Sequence, residues 1–290
     1  MKRRRFLTLA AAFACAPALA RADTWSGQAL GAEVSVTLHG PREMTQKALA
    51  DVPRLLVNFE EAFSLFRPTS HLSRLNIMGR LRDPNVLMRT LMARADEAHH
   101  LSGGLFDPTI QPLWEAYAKG RDPEPARKAL GWHRVRYSDR MIEVQSGQAL
   151  TFNGIAQGFA TDVMRLLLRK HGAETALVNI GEQAAMGGPF TLGLDDPTHG
   201  HLGTRELRDM AIATSSPAAL TLGDRSHILG PRGEIPLWST VSIEAPSATM
   251  ADALSTAAVF MDRDRLRHLK VAAGLHRITL VDADGNIQTL

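Results

Sequence analysis

Thirteen residues, Leu150-Thr-Phe-Asn-Gly-Ile-Ala-Gln-Gly-Phe-Ala-Thr-Asp162, set the terms on which the rest of the chain must fold. They read as the end of a strand, a turn with two glycines and the start of a helix. Asn153 and Gly154 suit a backbone with positive φ. Gly158 has no side chain, so another backbone or a ligand can come close. From Phe159 a helical period runs through Val163, Leu166 and Leu167. Such a turn leaves backbone N–H and C=O groups beside a helix N-terminus, where a phosphate or a metal can bind. A tight connection without a ligand reads equally well.

The first residues belong to transport, not to the fold. Lys2 and Arg3-Arg4-Arg5 precede an apolar run from Phe6 to Ala16 and small residues up to Ala22. Residues 1–22 are therefore expected to be a cleavable export signal, with an apolar core too short to span a membrane. Arg3-Arg4-Arg5-Phe6-Leu7 fits the twin-arginine pattern, which predicts a periplasmic protein. Cys15 is a candidate lipid-anchor cysteine with a poor lead-in, since Phe13 stands where a small residue is usual. The whole chain has 33 basic and 30 acidic residues. The leader removes five basic residues and no acid, which leaves 28 against 30. No case for nucleic-acid binding survives. The single cysteine, Cys15, also leaves with the leader, so residues 23–290 offer no disulfide, thiol nucleophile or cysteine metal site. A chain of this length must then be held by its core.

Glu33–Leu38 alternates as a strand after a turn at Leu30-Gly31. A long helix is expected over Met44–Phe66, facing Val52, Leu55, Leu56, Phe59 and Phe63 inward. Ser70 caps a short helical turn with Leu72 and Leu75. A further helix spans Asn85–Leu101 and ends at Gly103-Gly104. Gly104–Trp114 reads as a loop, Asp122–Ala126 as exposed chain and Arg134–Val144 as a hairpin. Strands follow near 176–180, 190–194, 210–214 and 239–244. Two helices, 249–261 and 263–273, precede a hairpin across Asp284-Gly285. Strands and helices do not alternate strictly, which predicts a single α+β unit with largely antiparallel sheets packed against helices.

Asp252 and Thr256 stand four apart, on one face of an expected helix. A carboxylate with a hydroxyl suits a hard cation; the competing reading has Asp252 serving the helix start and Thr256 bonding back to a carbonyl. His227, between Ser226 and Ile228, is a candidate general base or a structural histidine. Asp107 precedes Pro108, so its backbone is held extended; its carboxylate either meets a ligand or caps its own loop through Thr109. Phe66, Phe106 and Trp114 can stack on a ring or fill the core. Zinc spacing, the nucleophile elbow, the Walker loop and the dinucleotide fingerprint are all missing.

The order of these pieces carries more than any one of them. Leu30-Gly31, Phe63–Asn76, Gly104–Thr109, Asn153–Asp162, Val178–Gly181, Ala213–Ser216, Ser226–Ile228 and Ala251–Thr256 together resemble the ApbE family, the FAD:protein FMN transferases. The resemblance implies an enzyme that uses FAD as substrate and Mg²⁺ at the pyrophosphate. A threonine of an acceptor protein attacks the FMN phosphorus and AMP leaves. It implies Asp252, Thr256 and the carbonyl of Ala156 as metal ligands and His227 as the group that helps deprotonate the threonine. It places Leu30, Phe66, Leu105, Phe106, Asp107, Asn153, Gln157 and Ile228 around the FAD.

The chain departs from the commoner family pattern. Thr151 and Gln157 stand where an acid and a lysine are usual, and His71 where glutamate is. Glu182-Gln183 follows Gly181 in place of Gly-Asp. Gly230-Pro-Arg-Gly233 has lost the acid of the usual Asp-Pro-x-Thr-Gly. The Asn-Gly-Ile-Ala-Gln-Gly form resembles a branch that includes accessory proteins of denitrification. Two other functions fit these losses: a non-catalytic FAD-binding assembly factor, and an FAD pyrophosphatase in which water replaces the threonine.

Overall fold

The computed structural model describes residues 22–290. Apart from Ala22, the expected leader and Cys15 lie outside the described residues. In chain order the elements are β1 (Ala22–Ala29), β2 (Ala32–His39), α1 (Arg42–Phe63), α2 (His71–Met78), β3 (Arg80–Arg82), α3 (Val86–Leu101), α4 (Gln111–Ala118) and α5 (Glu124–Ala129). Next come β4 (Arg136–Tyr137), β5 (Met141–Glu143), α6 (Ala156–Lys170), β6 (Thr175–Ile180), β7 (Glu182–Met186), β8 (Phe190–Asp196), β9 (Gly200–Leu207) and β10 (Ala211–Ser215). The chain ends with β11 (Thr221–Leu222), β12 (Arg225–Ser226), β13 (Thr240–Ala245), α7 (Ala248–Ala258), α8 (Arg263–Ala272), β14 (Arg277–Val281) and β15 (Ile287–Thr289).

An eight-stranded sheet in the order β1-β2-β6-β7-β10-β13-β14-β15 is antiparallel throughout. Its two faces are used differently, as the two-residue period of a strand requires. Along β6, Ala176, Val178 and Ile180 face the main core, while Leu177 joins a smaller cluster with Phe190, Leu192 and Leu207 of the β8–β9 hairpin. The main core lies between the sheet and α1, α3, α6 and α7. Phe59, Phe63, Phe152 and Phe159 meet there with ring centroids 5.4–6.1 Å apart, mostly edge to face.

Val52, Leu56, Phe59 and Phe63 are buried as the helical period of α1 predicts, and Leu55 is partly buried against the same core. The Ser70 side chain accepts from the Ser73 N–H, the expected cap. Several expectations need correction. Gln111–Ala118 inside the supposed loop is helical, because Pro112 at the first turn starts a helix and does not break one. Asp122–Ala126 is largely exposed as expected, and its second half begins a short helix, α5. β1, β7 and β9 carry no clear alternation and escape the pattern. No strand runs directly into the 150–162 turn. Instead the Asn76 side chain takes over the pairing of Leu150, donating to its carbonyl at 2.8 Å and accepting from its N–H at 2.7 Å. Asn153 and Gly154 do not have positive φ.

Candidate functional site

α6 and α7 cross where the 150–162 turn enters its helix. The first turn of α7 is held by Asp162 of α6. Its carboxylate accepts from the N–H groups of Ala248 and Thr249 at 3.0 and 2.9 Å, and from the hydroxyls of Ser247 and Thr249 at 2.8 and 2.7 Å. An anion at a helix N-terminus with this many donors is well placed electrostatically.

One turn deeper, Asp252 accepts from the Gly158 N–H at 2.9 Å. Its residue is only 4% exposed, so the alternative in which it serves the helix start does not hold; Asp162 has that role. The approach is so close that a Cβ on Gly158 would lie 2.3 Å from the Ala248 carbonyl oxygen. A Cβ on Gly154 would lie 2.8 Å from the Thr256 Oγ1. The two glycines are needed for contact, not for φ. Between them stands buried Ala156, so the structure brings Ala156, Asp252 and Thr256 to one place. Thr256 Oγ1 also donates to the Asp252 carbonyl at 3.2 Å, so the competing reading of Thr256 holds at the same time. Ser215 of β10 reaches Thr256 Oγ1 at 3.4 Å and Ser255 Oγ at 2.8 Å.

A residue missed by sequence reasoning belongs here. Glu182, at the start of β7, accepts from the Thr214 N–H at 3.2 Å through its carboxylate, and its carbonyl accepts from the Thr161 hydroxyl at 3.3 Å. Burial and then the charge of Asp252 push its carboxyl well above the usual range. Burial likewise raises Asp252 to about 7, against the opposing pull of the Gly158 N–H. Two carboxylates sharing a dry site resist ionising together. The donors are carboxylate, hydroxyl and carbonyl oxygens, the set that suits a hard divalent cation, so the residues fit Mg²⁺. Among the described residues no cluster of three or more His, Cys, Asp or Glu offers an alternative metal centre.

His227 follows the small β11–β12 hairpin. Its N–H and its Nδ1 both meet the Leu220 carbonyl, at 3.0 and 2.9 Å. A carbonyl only accepts, so Nδ1 carries the proton and Nε2 is the basic nitrogen of the neutral ring. The Ser226 hydroxyl donates to the carbonyl of Pro217, two residues beyond Ser215, and accepts from the Ile228 N–H. The histidine loop is thereby hung from the same end of β10 that reaches Thr256.

The positions expected around a flavin divide. Leu30, at φ 52° in the β1–β2 turn, accepts from the Gln157 amide at 3.5 Å, and its N–H meets Glu60 at 3.4 Å. Gln157 packs directly on Gly181, so the turns at residues 30, 157 and 181 converge. Phe66 is 85% exposed beside this group, since Glu60 also pairs with Arg67. Asn153 is exposed on the turn and Ile228 packs partly against the core. Leu105 and Phe106 are core residues. The Asp107 carboxylate is engaged by Thr109 N and Oγ1 at 2.8 and 2.6 Å and by Trp132 N at 3.3 Å, which is the loop-capping alternative.

A model of the ApbE family matches residues 30–278. The chain belongs to the ApbE family. Its ApbE relatives include the FAD:protein FMN transferase of Treponema pallidum, 29% identical over 268 residues, covering 75% of this chain and 72% of that protein. Among solved structures, the flavin transferase ApbE of Vibrio cholerae superposes with a TM-score of 0.82 at 20% identity, over 93% of this chain and 97% of that one. The flavinyl transferase ApbE of Pseudomonas stutzeri gives 0.79 at 22% identity, over 95% and 97%. At these identities the structural matches establish the ApbE fold, which is the predicted α+β unit.

Proposed function

We propose that this chain is an FAD:protein FMN transferase that joins FMN to a threonine of an acceptor protein. The observation that carries the reading is the meeting of Ala156, Asp252 and Thr256 at the α6–α7 crossing, with Glu182 beside them. In the reaction the threonine oxygen forms a bond to the FMN phosphorus, the bond from that phosphorus to the AMP oxygen breaks, and AMP departs. His227 accepts the threonine proton at Nε2, since Leu220 holds the proton on Nδ1. Asp252, Thr256 and the Ala156 carbonyl would hold Mg²⁺, which would offset the charge of the pyrophosphate. Leu30 and Gln157, converging with the Gly181 turn, line the FAD pocket in this reading, so catalysis rests on placement and charge.

The acceptor is a redox protein facing the periplasm, in keeping with the basic-apolar leader at residues 1–22. Residues 23–290 incubated with FAD, Mg²⁺ and acceptor should yield a fluorescent acceptor band and one AMP per flavin transferred. Release of FMN and AMP without an acceptor would make the chain a pyrophosphatase instead. Tight FAD binding with neither product would make it a flavin-binding assembly factor. Recovery of the tagged chain from the cytoplasm alone would overturn the periplasmic assignment.

A further inference from the structure

Glu234 fills the space that a side chain at residue 230, where the usual acid is missing, would need. Gly230 and Gly233 close a turn, with the Gly233 N–H donating to the Gly230 carbonyl at 3.0 Å. That turn folds Glu234 back onto Gly230. A Cβ at residue 230 would lie 2.6 Å from the Glu234 Oε2 and 2.8 Å from its backbone nitrogen. Glycine at 230 is thus a condition for Glu234 to occupy the place. The carboxylate accepts from the Arg232 N–H at 2.9 Å and from Arg232 Nε at 2.8 Å. The held guanidinium then donates through Nη1 to the Gly103 carbonyl at 3.3 Å. Gly103 opens the loop that continues through Leu105, Phe106 and Asp107, where the Phe106 N–H donates to the Ser102 hydroxyl.

We propose that Glu234 and Arg232 form a strap that sets the His227 loop against the Gly103–Asp107 loop, with Glu234 as a positioning residue for the transfer reaction. This rests on the flavin-transfer reading above. The Arg232 side chain is 59% exposed while Glu234 is half-buried, so as an ion pair the two contribute little to global stability. What it governs is the relative placement of two loops, where a displacement of one ångström is enough to slow a reaction strongly.

The test is a double-mutant cycle in residues 23–290. Glu234→Ala and Arg232→Ala should each lower kcat by about tenfold, with the KM for FAD changed less than about threefold. The double variant should be no slower than either single one, because both act through one strap. Glu234→Gln, which retains one acceptor oxygen, should fall between. Additive losses, or single variants at wild-type kcat, would overturn the strap. Amide hydrogen exchange gives a readout that does not need turnover. The Leu105 and Phe106 amides should exchange faster in Glu234→Ala, although the substitution lies on the other loop. Unchanged exchange there overturns the proposal. A wild-type chain without transferase activity would sink the functional reading and leave exchange to decide the strap.

Discussion

Asp252 is a carboxyl group raised to about 7 by burial, and its folded-state value stands above that of the unfolded chain. Without a divalent cation, the Asp252 contribution to stability is therefore fully retained below about pH 4, where both states hold the proton, and is lost as pH rises toward about 7. Thermal melts of the wild type and Asp252→Asn across that range check it, because their difference separates this carboxyl from the others. Added Mg²⁺ should raise the melting temperature more at pH 8 than at pH 5.5, because the cation displaces that proton. Asp252→Asn should flatten the pH dependence and lower transfer by about 100-fold or more. Gly158→Ala should destabilise by about 3 kcal/mol in urea unfolding, because the new methyl meets a carbonyl of another helix that cannot rotate away. Asp252 and Thr256 were legible as a pair from their four-residue spacing. Glu182 was not, because it stood only as a departure from a pattern and its partner comes from a distant part of the chain.

At the scale of the elements, α6 and α7 act as one unit. Asp162 and Asp252, both carboxylates, tie each helix to the other in opposite directions. Asp162→Ala should cost about 2 kcal/mol, seen as a lower urea midpoint at unchanged slope, since it removes the donors' partner at the start of α7. It should also weaken Mg²⁺ binding by titration calorimetry, because Asp252 and Thr256 ride on that helix. Helices marked by a strong 3.6-residue period, as α1, or by a side-chain cap, as α2 and α3, were readable nearly to their ends. α4 was hidden because Pro112 in its first turn, following Gly103-Gly104 and Pro108, reads as a loop.

Across the whole molecule, the antiparallel sheet gathers the site from both ends of the chain. β1–β2 contributes Leu30, β7 contributes Glu182, and β10 contributes Ser215 and leads into the His227 loop. Local composition and spacing were sufficient for the α+β class, the long helices, the Asp252–Thr256 face and the glycine turn, since each depends on neighbours within a few residues. Local information left Asp252 open between a cation ligand and a helix-start group and treated Gly230 as a loss. Those two points were settled by packing: a helix crossing buries Asp252 against Gly158, and a chain reversal lays Glu234 over Gly230. Both depend on atoms brought together by long-range contacts, and no period or motif along the chain encodes such distances.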